Sequence, residues 1–307
     1  MSLWWLAALV PLAWLCARYC WWKPALPDDL PRVLMYHMVS PQGVSKKHRG
    51  LRVDPVMFER QVAWLAANDW EFITMAELSE RNFRGGKRVA ITFDDGYEDN
   101  LLNALPVLQK YQAKATLYLV VERHDNDWSV KKKAHHNSGE LAAEPKLSDE
   151  QVRQLLHSGV FELGGHTLTH CHLPSTSPVE KAHEISACRS TLQDTFDTPV
   201  TSFAYPFGIF DDEDVALVRE AGFTNAVTTD EGIDDADQSA VDPWRLRRIK
   251  VSGKDNFWAF KIRMRIGFRG QIKRFQDMGV TDFNAAIMDT EDGAYARTLE
   301  FLGSING

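Results

Sequence analysis

Short apolar runs alternate with amphipathic stretches along most of the chain. Runs rich in β-branched and aromatic residues read as strands at Arg32 to Tyr36, Glu71 to Thr74, Arg88 to Phe93, Ala115 to Val120, Val160 to Gly164, Ser202 to Tyr205, Thr224 to Val227 and Leu246 to Val251. Between them, apolar positions three and four apart predict helices over Val56 to Asn68, Asn100 to Tyr111, Ser148 to Leu156, Pro178 to Phe196 and Asp212 to Ala221. Ser148 and Gln151 form the two ends of a capping box, which places a helix start there. Regular alternation of this kind predicts an α/β fold with a largely parallel sheet, in which catalytic groups gather at the carboxyl ends of the strands. The polar stretch His124 to Lys146 breaks the pattern and is too long for an ordinary connection, so it reads as a lid or mobile segment.

The amino terminus follows a different rule. Leu3 to Trp22 is almost wholly apolar, interrupted by Pro11 and Arg18, with tryptophan pairs at Trp4–Trp5 and Trp21–Trp22. At about 1.5 Å per helical residue those pairs stand roughly 25 Å apart, close to the spacing of two membrane interfaces. Residues 1–23 are therefore expected to be a single-pass anchor and 24–31 a Pro-rich linker, with a catalytic domain over 32–255 and an extension over 256–307. A cleaved signal peptide would need basic residues before the apolar run and a small-residue site after it, and the sequence has neither. Arg18, Lys23 and Arg32 lie at or beyond the end of the run, so the positive-inside rule puts the domain on the cytoplasmic side of a bacterial inner membrane, with a periplasmic domain as the alternative. The net charge of -7 excludes a general nucleic-acid binder, which needs surplus cations against phosphates. Cys16, Cys20, Cys171 and Cys188 show no disulfide spacing and read as free thiols.

Three clusters follow strands directly. Asp94-Asp95-Gly96 places two carboxylates where the chain turns, although Asp-Gly after a strand is most often only a turn. His166 and His170 are four apart, which on a helical turn would present both imidazoles to one metal ion. Two His and one Asp leave coordination positions open for water, as in a catalytic site. Tyr205-Pro206-Phe207-Gly208 ends a strand in a rigid turn, where the backbone N–H of Phe207 could meet a developing oxyanion.

In this order and spacing, Thr92 to Gly96, His166 to His170 and Tyr205 to Gly208 resemble the first three motifs of the polysaccharide deacetylases, carbohydrate esterase family four, over roughly residues 32 to 251. The resemblance implies a distorted (β/α) barrel that hydrolyses N-acetyl groups, with Asp94 as general base and Asp95, His166 and His170 as metal ligands. The family usually opens its third motif with an arginine, and here that position is Ala204; its usual late histidine motif is missing too. Both departures are similar to the circularly permuted branch that includes poly-N-acetylglucosamine deacetylases. That likeness implies His37, in Leu34-Met35-Tyr36-His37, as general acid, and an arginine of Asp242 to Ile249 as the partner of Asp94. Arg248 is the choice, with Arg245 and Arg247 open.

The expected cofactor is a divalent metal, zinc, with cobalt or nickel as alternatives. The expected partners are the membrane and an N-acetylated glycan or glycolipid. The stretch Phe257 to Phe275 mixes aromatics with Lys and Arg and carries no acid; it suits an anionic membrane surface or, equally, a helix packed on the barrel. With the anchor, it favours a lipopolysaccharide-core or lipid-linked N-acetylhexosamine over exported poly-N-acetylglucosamine or peptidoglycan. A catalytically inactive, membrane-anchored glycan-binding protein is the reading from another class.

Overall fold

The computed structural model describes residues 12, 15–16, 18–41, 48–83, 86–124, 141, 143–235, 239 and 242–270. They fall into two compact units, one of Met1–Ala25 with Arg269–Gly307 and one of Leu26–Phe268. The strands are β1 (Arg32–Tyr36), β2 (Met38–Val39), β3 (Arg52–Val53), β4 (Glu71–Ile73), β5 (Arg88–Asp94), β6 (Ala115–Leu119), β7 (Phe161–Gly165), β8 (Ser202–Ala204), β9 (Asn225–Glu231) and β10 (Leu246–Lys250). The α-helices of the second unit are α1 (Pro55–Ala67), α2 (Met75–Glu80), α3 (Leu105–Lys110), α4 (Asp149–His157), α5 (Pro178–Phe196), α6 (Asp212–Glu220) and α7 (Phe257–Ile266).

Every strand pairing is parallel. The order β1-β10-β9-β8-β7-β6-β5 closes through a β1–β5 ladder in which Arg32 faces Val89 and Tyr36 faces Phe93. The result is a seven-stranded barrel. The short β4 pairs with Arg88, Val89 and Ala90 of β5 before β6 takes over at Ile91. All eight expected strands are present, and the β-residue period of two explains their sidedness. In β5, Val89, Ile91 and Phe93 pack outward against the helices, whereas Ala90, Thr92 and Asp94 turn inward.

The barrel interior is narrow and needs a plug. Helix α2, absent from the sequence reading, and the turn after it supply it: Met75 and Leu78 of the helix and Phe83 of the turn join Val33, Ala90, Tyr118 and Leu246 in one buried cluster. Its Thr74–Glu77 capping box and the Glu162 carboxylate, which accepts from the Ala76 N–H at 3.1 Å, satisfy the first turn. The capping box at Ser148 and Gln151 is formed as expected. The expected helix Asn100 to Tyr111 begins instead as a π-helical turn, Asn100–Ala104, before α3. Gly164 lies where Tyr118 crosses the barrel; a Cβ there would come 2.5 Å from that ring.

Helix α7 belongs to the barrel unit rather than to a separate extension. Phe260 and Met264 are buried, Phe260 meets Trp64 edge-on at 5.9 Å, and Arg263 pairs with Asp255 and Glu231, each at 2.9 Å. Among the described residues no helix is long and apolar enough to cross a membrane, and most of the Leu3 to Trp22 run lies outside them. Much of the stretch His124 to Lys146, residues 125–140, also lies outside the described residues. Its return leg is held by Arg52 on Glu144 and by the Glu98 N–H on the Pro145 carbonyl, 2.9 Å. All four cysteines are free thiols.

Candidate active site

The loops after β1, β5, β7 and β8 bring the singled-out residues together at one end of the barrel. Asp94 is the last residue of β5, and Asp95 continues its ladder by donating its N–H to the Tyr118 carbonyl at 3.0 Å. His166 follows β7 and keeps that ladder with an N–H bond to the Leu119 carbonyl, 3.2 Å.

Asp95, His166 and His170 are buried, and one ligand atom from each lies within 4.8 Å of the others. The Nε2 atoms of His166 and His170 stand 3.4 and 3.6 Å from the same Asp95 oxygen. His166 Nδ1 lies 2.7 Å from the Ala204 carbonyl, a bond it can make only as donor, which turns Nε2 toward the carboxylate. Burial pulls His170 down to about 3, despite the nearby Asp95. Two imidazole nitrogens aimed at one buried carboxylate oxygen form a donor set that fits a divalent metal ion.

The expected helical turn across His166 to His170 is not formed. Thr167 and His170 take φ of 66° and 60°, and a loop rather than a helix brings the two rings to 4.9 Å. Glu184 of α5 holds that loop, accepting from Thr169 N–H at 3.0 Å and Thr169 Oγ1 at 2.8 Å. Three bonds to the chain at the end of β6 and to α5 complete the hold, so no helical ladder is needed to set the spacing: Val121 N–H to Thr167, Glu122 N–H to Leu168, and Leu168 N–H to Glu184.

Asp94 is gripped by a fork. Arg248 Nη1 and Nη2 donate to its two oxygens at 2.7 and 2.8 Å, while Nε binds the Thr228 carbonyl at 2.8 Å and Nη1 also meets Thr92 Oγ1 at 3.1 Å. Burial pushes the Asp94 carboxyl up, but Arg248 outweighs it and holds the group below the usual carboxylate range. The other two arginines are elsewhere. Arg247 pairs with Asp234, and Arg245 pairs with Asp212 beside an outer cleft of about 570 Å³ that holds none of the clustered residues.

His37 follows β1, its carbonyl taking a 2.9 Å bond from Asn100 Nδ2. Burial lowers its pKa, while Asp95 and Asp94 act in the opposite sense, which puts the ring in the field of both carboxylates. Phe207 sits in the turn after β8 with φ of 60°, and its ring meets that of His170 at 4.4 Å. Cys171, next to a ligand, is outside the trio; burial pushes its thiol up to about 12.

The sequence reading missed several neighbours. Tyr97, two residues beyond Asp95, is buried, and burial together with the Asp95 carboxylate pushes its phenol well above its ordinary range. Lys146 lies 4.2 Å above that ring, and burial draws its pKa down to about 8. Tyr97 was legible as the residue closing the Asp-Asp-Gly turn. Glu184 and Lys146 carry no local signal.

A sequence profile of the polysaccharide deacetylases matches residues 82–226. A Bacillus subtilis protein assigned as a polysaccharide deacetylase is 30% identical over 76% of this chain and 75% of its own. A poly-β-1,6-N-acetyl-D-glucosamine N-deacetylase of Staphylococcus aureus is 25% identical over 61% of this chain and 64% of its own. The crystal structure of a Bacillus cereus polysaccharide deacetylase superposes with a TM-score of 0.64 at 26% identity, covering 77% of this chain and 69% of that one. The barrel agrees with these matches: the chain belongs to the polysaccharide deacetylase family and is a carbohydrate N-deacetylase.

Proposed function

We propose that the chain is a metal-dependent enzyme that hydrolyses the N-acetyl group of an N-acetylhexosamine in a bacterial glycolipid, a lipopolysaccharide-core or lipid-linked sugar, releasing acetate and a free amine. The observation that supports the chemistry is the bidentate hold of Arg248 on Asp94 beside the trio of Asp95, His166 and His170. One carboxylate is kept ionised as a base, and its neighbour is arranged for a cation.

Asp95, His166 and His170 would hold the ion, and zinc suits two imidazoles and a carboxylate. A bound divalent ion polarises the acetyl carbonyl and acidifies water. Asp94 takes the proton of the attacking water, and Arg248 keeps it ionised and aimed. The N–H of Phe207 meets the negative charge that develops on the acetyl oxygen. His37 hands a proton to the departing amine, which is too basic to leave without one.

The apolar run Leu3 to Trp22 and the basic residues after it support an inner-membrane anchor with a cytoplasmic domain, which is where lipid-linked sugars are built. The likeness to the staphylococcal enzyme favours a second reading, an exported N-acetylglucosamine polymer as substrate. Purified full chain should release acetate from acetylated glycolipid in preference to the polymer, and a chelator should stop it. Asp94→Asn should slow turnover by about a hundredfold or more with metal content unchanged; a near-normal rate would sink the assignment.

A further inference from the structure

Helix α7 has two unlike faces. Ala259, Phe260, Met264 and Ile266 are buried toward α1 and the barrel. Trp258, Ile262 and Arg265, spaced by four and three, share the outward side with Lys261. Trp258 is 70% exposed. The Lys261 ammonium lies 5.1 Å from the Trp258 ring, 5.2 Å from Phe257 and 5.6 Å from Trp64, and the Arg60 guanidinium lies 4.1 Å over Phe257. The helix carries no acid. Asp255, just before the helix, is engaged by Arg263.

The chain also enters the barrel unit at this helix. Leu26, its first residue, donates its N–H to the Arg265 carbonyl at 2.9 Å, and Arg32 clamps both the Leu26 and Met264 carbonyls.

We propose that the outward face of α7, centred on Trp258 with Lys261 and Arg265, docks on the anionic phospholipid surface of the membrane that holds the amino-terminal run. This rests on the membrane reading above. An exposed tryptophan with an ammonium beside it, on a helix face that also carries a guanidinium, is suited to the headgroup layer, where the ring leaves water and the cations meet phosphates. Because α7 runs from the active-site end of β10 back to the start of β1, docking lays the barrel on its side. The catalytic mouth then opens along the headgroup plane, at the height of a sugar carried on a lipid.

The test uses full chain reconstituted into vesicles of brominated phosphatidylcholine, with or without phosphatidylglycerol. Wild type should show a quenched emission component that Trp258→Phe lacks, and that component should shrink in Lys261→Glu or without phosphatidylglycerol. Equal quenching of wild type and Trp258→Phe overturns the proposal. Flotation of the same samples separates the two ideas: a chain that fails to float rejects the membrane reading, and one that floats without a Trp258 component rejects the docking face alone. Detergent-solubilised dimers that Trp258→Phe dissociates would assign the face to a second copy and overturn the lipid assignment.

Discussion

Asp94 and Asp95 are adjacent, yet their surroundings separate their work. The pair of Arg248 with Asp94 is fully buried, so its two halves depend on each other. Arg248→Met leaves a buried carboxylate alone and should destabilise the chain by about 3–5 kcal/mol, whereas the Arg248→Met, Asp94→Asn double variant should recover most of that; denaturant unfolding of the three proteins checks it. A second carboxylate behaves oppositely. Burial raises Asp99 to about 6, against hydrogen bonds from the Val39 backbone and the Ser40 side chain that favour its charge. A folded pKa above the unfolded one means that the fold holds the proton more tightly, so stability is lost as pH rises from about 4 to about 6 and the deficit stays constant above. Asp99→Asn should thus melt higher than wild type at pH 7 and level with it near pH 4, by at most about 3 kcal/mol; melting curves across that window decide it.

At the scale of elements, the strands end in strained loops. Asp95, Thr167, His170 and Phe207 all take positive φ, of 79°, 66°, 60° and 60°. Each costs about 1–3 kcal/mol unless packing and hydrogen bonds over-determine it, and Glu184 and the ladder bonds after β5 and β7 do that here. Gly208, with φ of 65°, completes the Phe207 turn against Thr229, which a Cβ would overlap. Gly208→Ala should destabilise by about 1–3 kcal/mol and lower kcat more than KM is raised, because the turn carries the Phe207 N–H; steady-state kinetics beside a thermal melt would show it. An unchanged kcat would remove Phe207 from the mechanism.

For the whole molecule, the proposed cytoplasmic placement of the domain has a direct readout. A reporter active only in the cytoplasm, fused after Gly307, should be active, while one active only outside should be silent; the reverse pattern moves the substrate to exported polymer. The sequence by itself determined the eight strands, the order of the motifs and the choice of Asp95, His166 and His170 as one group. Strand and helix periods are local, and Asp94, His166 and Phe207 each lie within a residue or three of a strand end. It also marked the α7 segment as amphipathic without choosing between membrane and barrel. Tertiary structure decided the rest. Closure of β1 on β5 and β10 sets His37 and Arg248 beside Asp94, and the pairing of Arg247 with Asp234 and Arg245 with Asp212 leaves Arg248 for it. Likewise, α2 becomes a plug and the Ala204 carbonyl orients the His166 ring only once the barrel exists. These contacts join residues far apart in the chain, and no local period or propensity encodes which of several arginines, or which carbonyl, a closed barrel will bring into reach.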